Sequence, residues 1–154
     1  MMYYFISFYS FFLIAIALFL QHVGYQDVFF NPCPLCILQR IAFIGLGIFC
    51  FFAAVFSRSS KIFVGVASLF SFIGLGVAAR HVWLLFNPQV SCGLDPLEVW
   101  INQFELAQKL DWLLKADGFC TAPLPHILGL QVPVWSLINF VMLTISLIFL
   151  LKRK

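Results

Sequence analysis

The sequence predicts an all-α integral membrane protein, a four-transmembrane-helix bundle with a long outer loop that carries a short amphipathic helix. Of the 154 residues, 63% are hydrophobic and 10% are charged, and the mean hydropathy of +1.03 lies far above that of soluble domains. Four apolar segments each have the roughly 20 residues that a helix needs to cross a hydrocarbon core of about 30 Å. We expect a single membrane domain, residues 1–154, because little chain remains for a separate soluble domain.

The predicted spans cover residues 3–22, 37–56, 62–86 and 132–151. Each is continuously apolar, whereas the strands of a membrane barrel alternate in polarity and are about half as long, so helices are the expected spanning form. No Lys or Arg precedes the first segment and no small-x-small cleavage site follows it. We therefore expect it to be a span and not a secretory signal.

Basic residues predict the orientation in the membrane. Arg58 and Lys61 lie between the second and third spans, and residues 152–154 are all basic. The positive-inside rule then places both termini in the cytoplasm. The other two connections, residues 23–36 and 87–131, become the first and second outer loops, and they hold all six acidic residues. The net charge of +3 is too small to indicate a nucleic-acid partner.

Four of the five cysteines fall in the outer loops: Cys33, Cys36, Cys92 and Cys120. Thiols in an oxidising compartment tend to form disulfides, so we expect two disulfide pairs, whereas the same count in the cytosol would suggest a metal. Cys50 lies 14 residues beyond Cys36, which is about 21 Å deeper along a helix and out of reach of a disulfide. It is expected to fill space as a small apolar side chain.

The Cys33-Pro34-Leu35-Cys36 sequence indicates a reactive thiol. Proline is favoured at the first helical position, so we expect Pro34 to begin the second helix with Cys33 as its cap. Cys36 then occupies the third helical position, where unpaired N–H groups and the helix dipole stabilise a thiolate. Arg40 follows four residues later on the same face. It is expected either to hold an anion, such as the Cys36 thiolate or a reduced electron carrier, or to snorkel to the interface.

Arg80 and His81 form a second polar group near the outer end of the third span, at roughly the depth of Arg40. Inside a bundle such a pair could bind a quinone carbonyl or move protons, since histidine titrates near neutral pH. The alternative is that both side chains reach up to the lipid headgroups. Both residues are therefore candidates for binding an electron acceptor.

The second outer loop is too long for a simple connector. Apolar residues at three- and four-residue steps predict an amphipathic helix over residues 96–116, which lies on the membrane surface or packs on protein. A Cys92–Cys120 disulfide would close a loop of about 29 residues and could act as a staple worth about 3–4 kcal/mol. Nearby small residues, Gly118 among them, favour flexible and open cysteine sites, which suit disulfide exchange.

Zinc is the other standard interpretation of four cysteines. A C-x-x-C pair with two distant thiols, or with His22 and His126, could form a site. Because the second cysteine pair lacks C-x-x-C spacing, we expect no metal. A further alternative is a non-enzymatic four-helix membrane protein whose loop disulfides are structural.

These features together resemble the DsbB family, the bacterial inner-membrane thiol:quinone oxidoreductases that reoxidise the periplasmic dithiol oxidase DsbA. The resemblance spans nearly the whole chain. It rests on the C-x-x-C that begins the second span, Arg40, Arg80-His81, the Cys92/Cys120 pair and Val132-Pro133-Val134-Trp135 at the start of the last span. In bacteria, DsbA, proteins of this family and a quinone together keep the periplasm oxidising.

The resemblance implies a relay through two disulfides. A DsbA-like partner would attack Cys92, the released Cys120 would engage Cys33, and Cys36 would be freed beside a quinone near Arg40. The acceptor would be ubiquinone or menaquinone from the membrane pool. The protein would be a multi-pass protein of the inner membrane with its four active cysteines on the periplasmic side.

Overall fold

Five helices are present in the part of the chain that the structure, a computed structural model, describes: residues 2–24, 31–56, 59–87, 103, 109–114, 118 and 127–152. They are α1 (Met2–His22), α2 (Pro34–Val55), α3 (Ser60–Phe86), α4 (Asp111–Leu114) and α5 (Val132–Lys152). All except α4 are long and apolar enough to cross a membrane. Their bounds agree with the four predicted spans to within three residues, and the all-helical membrane fold is confirmed.

The second helix holds the bundle together, because α2 packs on both α1 and α3, and α3 packs in turn on α5. Phe140 of α5 is fully buried and stacks on Phe43 of α2 with ring centroids 4.0 Å apart. Cys50 is a free, fully buried thiol in the same apolar cluster. Its position matches the expected packing role.

Hydroxyl groups tie the long helices to one another. Ser7 of α1 donates to the Gly47 carbonyl of α2 at 2.8 Å, and the Ser71 and Thr144 hydroxyls of α3 and α5 are 2.7 Å apart. Interhelical bonds of this kind matter in a bilayer, where apolar side chains gain little by leaving lipid for protein. Large apolar side chains instead cover the outside, with Phe8 72% exposed.

We call the end of the bundle where α1 ends and α2 and α5 begin the cysteine end. Of the predicted amphipathic helix over residues 96–116, the structure describes the single turn α4 at this end, and most of the rest lies outside the described residues. Leu114 of α4 is buried and packs on Ile37 of α2, while Trp112 is 49% exposed. This turn of the second outer loop therefore packs on protein.

Candidate redox site

Cys33 and Cys36 adopt the arrangement predicted from the sequence. Pro34 is the first helical residue of α2, and Cys33 is its N-cap with extended backbone angles (φ −82°, ψ 166°). The backbone N–H of Cys36 donates to Cys33 Sγ at 3.4 Å, and the two Sγ atoms are 3.2 Å apart. Since a disulfide joins its sulfurs at about 2.05 Å, a shift of about 1 Å would bring these thiols to bonding distance.

The two sulfurs face different surroundings. Cys33 is 2% exposed and packs with Leu35 and Leu84. Cys36 is only partly buried and lines a cavity. A molecule in that cavity would therefore meet Cys36 and not Cys33.

His81 contacts the buried cysteine. Its ring is 1% exposed, with Nε2 3.8 Å from Cys33 Sγ and Nδ1 3.3 Å from the side-chain nitrogen of Gln39. An amide nitrogen can only donate, so Nδ1 of His81 accepts. In the neutral ring Nε2 then carries the proton and donates it toward Cys33 Sγ. With the Gln39 nitrogen facing Nδ1, the matching tautomer points a donor at the sulfur.

Replacing Gln39 with Leu is expected to lower the free energy of unfolding by about 1–2 kcal/mol, because a hydrogen bond between two buried side chains is lost. The measurement is denaturant unfolding in detergent micelles. Gln103→Leu is the matched control, since Gln103 is exposed. Equal stability of the two variants would contradict this role of Gln39.

Cys33, Cys36 and His81 also form a group of three potential metal ligands, with their sulfur and nitrogen atoms all within 4.8 Å of one another. Two thiolates and an imidazole are ligands that Zn²⁺ accepts. This histidine differs from the two considered from the sequence: His22 is exposed at the end of α1, and His126 lies outside the described residues. Coordination through Nε2 of His81 would require the tautomer protonated at Nδ1, with the Gln39 side-chain oxygen turned toward that nitrogen.

Arg40 links three elements at the cysteine end. It is 7% exposed, and its Nη1 donates to Gln21 Oε1 of α1 at 2.7 Å and to the Leu113 carbonyl of α4 at 2.9 Å. Gln21 in turn donates to the Trp112 carbonyl at 3.4 Å. Both acceptors that Arg40 meets in the described part of the chain are neutral, so these two bonds form no ion pair. Arg40 also lines the cavity.

The cavity has a volume of about 540 Å³ and lies between α1, α2 and α5. Its walls are mainly apolar, and polar groups cluster in it on α2, namely Cys36, Gln39 and Arg40. Tyr9 and Asn139 also line it, and the Tyr9 hydroxyl donates to Asn139 Oδ1 at 2.5 Å. Its size and its few polar groups are typical of sites for small apolar ligands.

Ser136, at the start of α5, adds a polar group to this cavity. Its Oγ is buried and has no hydrogen-bond partner among the described residues. Helical serines commonly bond to the carbonyl four residues earlier, and three serines of this bundle do so: Ser10, Ser68 and Ser146. A buried hydroxyl without a partner costs free energy, so Ser136 is suited to bond a ligand in the cavity.

The structure thus brings together Cys33, Cys36, Arg40 and His81 of the residues predicted from the sequence. Arg80 is exposed on α3 and is not among the residues that line the cavity. His81 contacts Cys33 and does not line the cavity either. Cys92 and Cys120 lie outside the described residues, so their pairing and their roles stay predictions.

Sequence reasoning missed three polar residues of the site. Gln39 and Gln21 could have been identified from the sequence, because an amide inside or at the end of an apolar span needs a hydrogen-bond partner. Ser136 carries no such signal, since serine is common in membrane helices and bonds readily to its own backbone.

Comparisons with known proteins give one description over most of the chain. A family model described as "Disulfide bond formation protein DsbB" matches residues 1–150, and so extends through both outer loops. "Disulfide bond formation protein B" of Cupriavidus necator is 49% identical over 94% of this chain and 88% of its own length. The protein of that name from Ralstonia nicotianae is 45% identical over 94% and 89%. "Disulfide bond formation protein B 1" of Pseudomonas entomophila is 46% identical over 74% and 69%.

Proposed function

Because the chain belongs to the DsbB family of disulfide bond formation proteins, we propose that it is a thiol:quinone oxidoreductase that reoxidises a DsbA-like periplasmic dithiol oxidase. In this proposal two electrons pass from the partner through two cysteine pairs to a membrane quinone. The cysteine end of the bundle faces the periplasm, and both termini face the cytoplasm. The acceptor is ubiquinone or menaquinone.

One observation carries the proposal: Cys36, at the start of α2, opens onto the same cavity as Arg40, one helical turn further on. A thiol that exchanges only with other thiols needs no apolar cavity beside it. A thiol that delivers electrons to a hydrophobic carrier does, because the carrier has to approach within contact distance. A cation in the same cavity stabilises negative charge on either reactant.

The residues that line the cavity fit a quinone headgroup. A quinone has two carbonyl acceptors on an otherwise apolar ring. The cavity offers as donors the Arg40 guanidinium and the Ser136 hydroxyl, which has no partner among the described residues. The rest of the lining is largely apolar, which suits an isoprenoid tail. When bound, the quinone would supply an acceptor for two electrons and two protons.

The thiol steps follow the order that the family implies. The partner's thiolate attacks Cys92 of a Cys92–Cys120 disulfide, forming a mixed disulfide and releasing Cys120. The Cys120 thiolate attacks Cys33 of the Cys33–Cys36 disulfide and releases Cys36. The partner's second thiol then displaces Cys92 and leaves as a disulfide, and Cys92 attacks Cys120 to release Cys33. The Cys33–Cys36 pair finally gives up two electrons and closes again.

In this proposal the two cysteines of the inner pair have different roles. Cys33, held in the cap position and facing His81, is the exchanging thiol. His81 Nε2–H can stabilise negative charge on Cys33 when that sulfur is released. Cys36 at the third helical position has the helix dipole and Arg40 on its side, which favours its thiolate.

The proposal is tested with purified protein, a reduced DsbA-like dithiol protein, and short-chain ubiquinone or menaquinone. We expect one quinol for each partner disulfide, followed by quinone absorbance and by alkylation of the partner. A sample alkylated beforehand is the control. No turnover with either quinone would favour a structural role for the cysteines, and zinc bound at one equivalent in the same sample would favour a metal site.

Replacing Ser136 with Ala is expected to raise the KM for quinone about 2- to 10-fold with little change in kcat, because one neutral hydrogen bond to the ligand is lost. Steady-state rates over a range of quinone concentrations measure both constants. Ser146→Ala is the matched control, since its hydroxyl is exposed and donates to the Met142 carbonyl. An unchanged KM in Ser136→Ala would remove this serine from the site.

A further inference from the structure

Gly118 makes a close backbone contact with the segment that ends in Cys33. Its N–H donates to the Pro32 carbonyl at 3.1 Å. A Cβ at this position would lie 2.1 Å from the Asn31 carbonyl oxygen and 3.2 Å from the Cys33 nitrogen. The first distance is far inside van der Waals contact, and the atom it meets is backbone, which cannot rotate away. Any side chain at residue 118 therefore forces the two segments apart.

This contrasts with the expectation from the sequence, in which Gly118 makes the loop flexible and open. The glycine is instead partly buried against the first outer loop. Glycine suits this position because two backbones approach each other, which is a use of the residue distinct from flexibility.

A second set of contacts holds the same stretch of the second outer loop. The Leu113 carbonyl accepts from Arg40 at 2.9 Å, and Leu114 packs on the fully buried Ile37. The loop is thus attached to the first two turns of α2 through α4, and to the residues just before α2 through Gly118. These attachments lie on either side of residues 115–117.

The contact of Gly118 bears on the outer cysteine pair because the chain between Gly118 and Cys120 is short. Cys120 is two residues beyond Gly118, and two residues span at most about 7 Å between Cα atoms. Gly118 itself contacts the peptide that leads into Cys33. A docked Gly118 therefore limits how far the Cys120 backbone can be from Cys33.

We propose that Gly118 is a positioning residue: its lack of a side chain docks the second outer loop on the Asn31–Cys33 backbone and so raises the effective concentration of Cys120 at Cys33. The inference rests on the proposed function, in which Cys120 and Cys33 exchange disulfides. It adds the residue that sets the distance for that step. Close tethering of two reacting groups raises their effective concentration without any new contact between them.

The test is the equilibrium between Cys33, Cys120 and glutathione in the full-length protein with Cys36→Ser, Cys92→Ser and Cys50→Ala. One oxidised glutathione takes up two electrons as the Cys33–Cys120 bond forms, and two reduced glutathiones are released. Alkylation followed by intact-protein mass spectrometry gives the oxidised fraction at each glutathione ratio. At the glutathione ratio where half of the protein is oxidised, the squared concentration of reduced glutathione divided by the concentration of oxidised glutathione equals the effective concentration of the pair.

Gly118→Ala in this background is expected to lower the effective concentration at least 10-fold. Gly76→Ala is the matched control, because a Cβ on Gly76 meets nothing within 4 Å. A second variant is informative even if Gly118→Ala does not fold. Two glycines inserted after Gly118 keep its contact but double the length of chain between Gly118 and Cys120. This insertion is expected to lower the effective concentration about 3- to 8-fold.

An effective concentration equal to that of the control in Gly118→Ala or in the insertion variant would overturn the proposal. The equilibrium involves neither a partner nor a quinone. A wild-type protein that reduces no quinone would therefore refute the proposed function without changing this constant, and the two failures can be told apart.

Discussion

Replacing Cys36 with Ser is expected to lower quinone reduction by at least about 1,000-fold, because the proposed reaction loses the only sulfur of the inner pair that faces the cavity. Serine is close to cysteine in size, and Cys36 is only partly buried, so the fold should be retained. The measurement is the rate of quinone absorbance loss with a reduced DsbA-like partner.

Cys50→Ala is the matched control for this experiment. Cys50 is a free thiol on the same helix and is fully buried in the apolar cluster, away from the cavity. It should keep the wild-type rate at a moderate cost in stability. A Cys36→Ser protein that retained more than a tenth of the wild-type rate would contradict the role given to Cys36.

Replacing Arg40 with Ala is expected to raise the KM for quinone about 10- to 100-fold, since a hydrogen bond from a charged donor contributes about 1.5–3 kcal/mol. The same change removes the bonds to Gln21 and to the Leu113 carbonyl. Loss of the second bond should loosen α4, and proteolysis of the loop around residues 109–114 is expected to become faster.

Two further variants separate these effects. Arg40→Lys keeps the charge but lacks the planar guanidinium with donors on several nitrogens, so it cannot serve the loop acceptors and a ligand from separate nitrogens. An intermediate KM is expected. Lys61→Ala removes an exposed basic residue near the start of α3 and should leave the KM unchanged. If Arg40→Ala had the KM of Lys61→Ala, Arg40 would have a structural role alone.

The sequence was sufficient for the helices and for the turn that holds the inner pair. Long apolar runs have one stable form in a bilayer, so their bounds follow from composition. The first turn of α2 was equally predictable, because proline at the first helical position and a cap just before it are local effects. Cys33 as N-cap and Cys36 at the third position required no tertiary information.

The contacts between helices could not be predicted in this way. A span that is apolar all round does not reveal which face meets which neighbour, since the usual polarity stripe is missing. The contact between the His81 ring and Cys33 is therefore not predictable from the sequence. Adjacent Arg80 points to the outside, because neighbouring residues on a helix lie about 100° apart.

The loop contacts were also out of reach, since they depend on long-range approach. Arg40 bonds to two other elements through one nitrogen, since its Nη1 donates to Gln21 Oε1 and to a carbonyl 73 residues away in sequence. Gly118 is the clearest case. The same residue type is used for flexibility and for close packing, and only the position of the Asn31 carbonyl separates the two.

The burial of Cys33 bears on which reductants the protein admits. A thiol in solution needs a nearly linear approach to the sulfur it attacks, and Cys33 is only 2% exposed. Small thiols that diffuse freely would reach it slowly, whereas a cysteine delivered on the protein's own loop does not have to diffuse in. Under the proposed function, such shielding would favour exchange of Cys33 with a cysteine of the protein's own loop over exchange with free thiols.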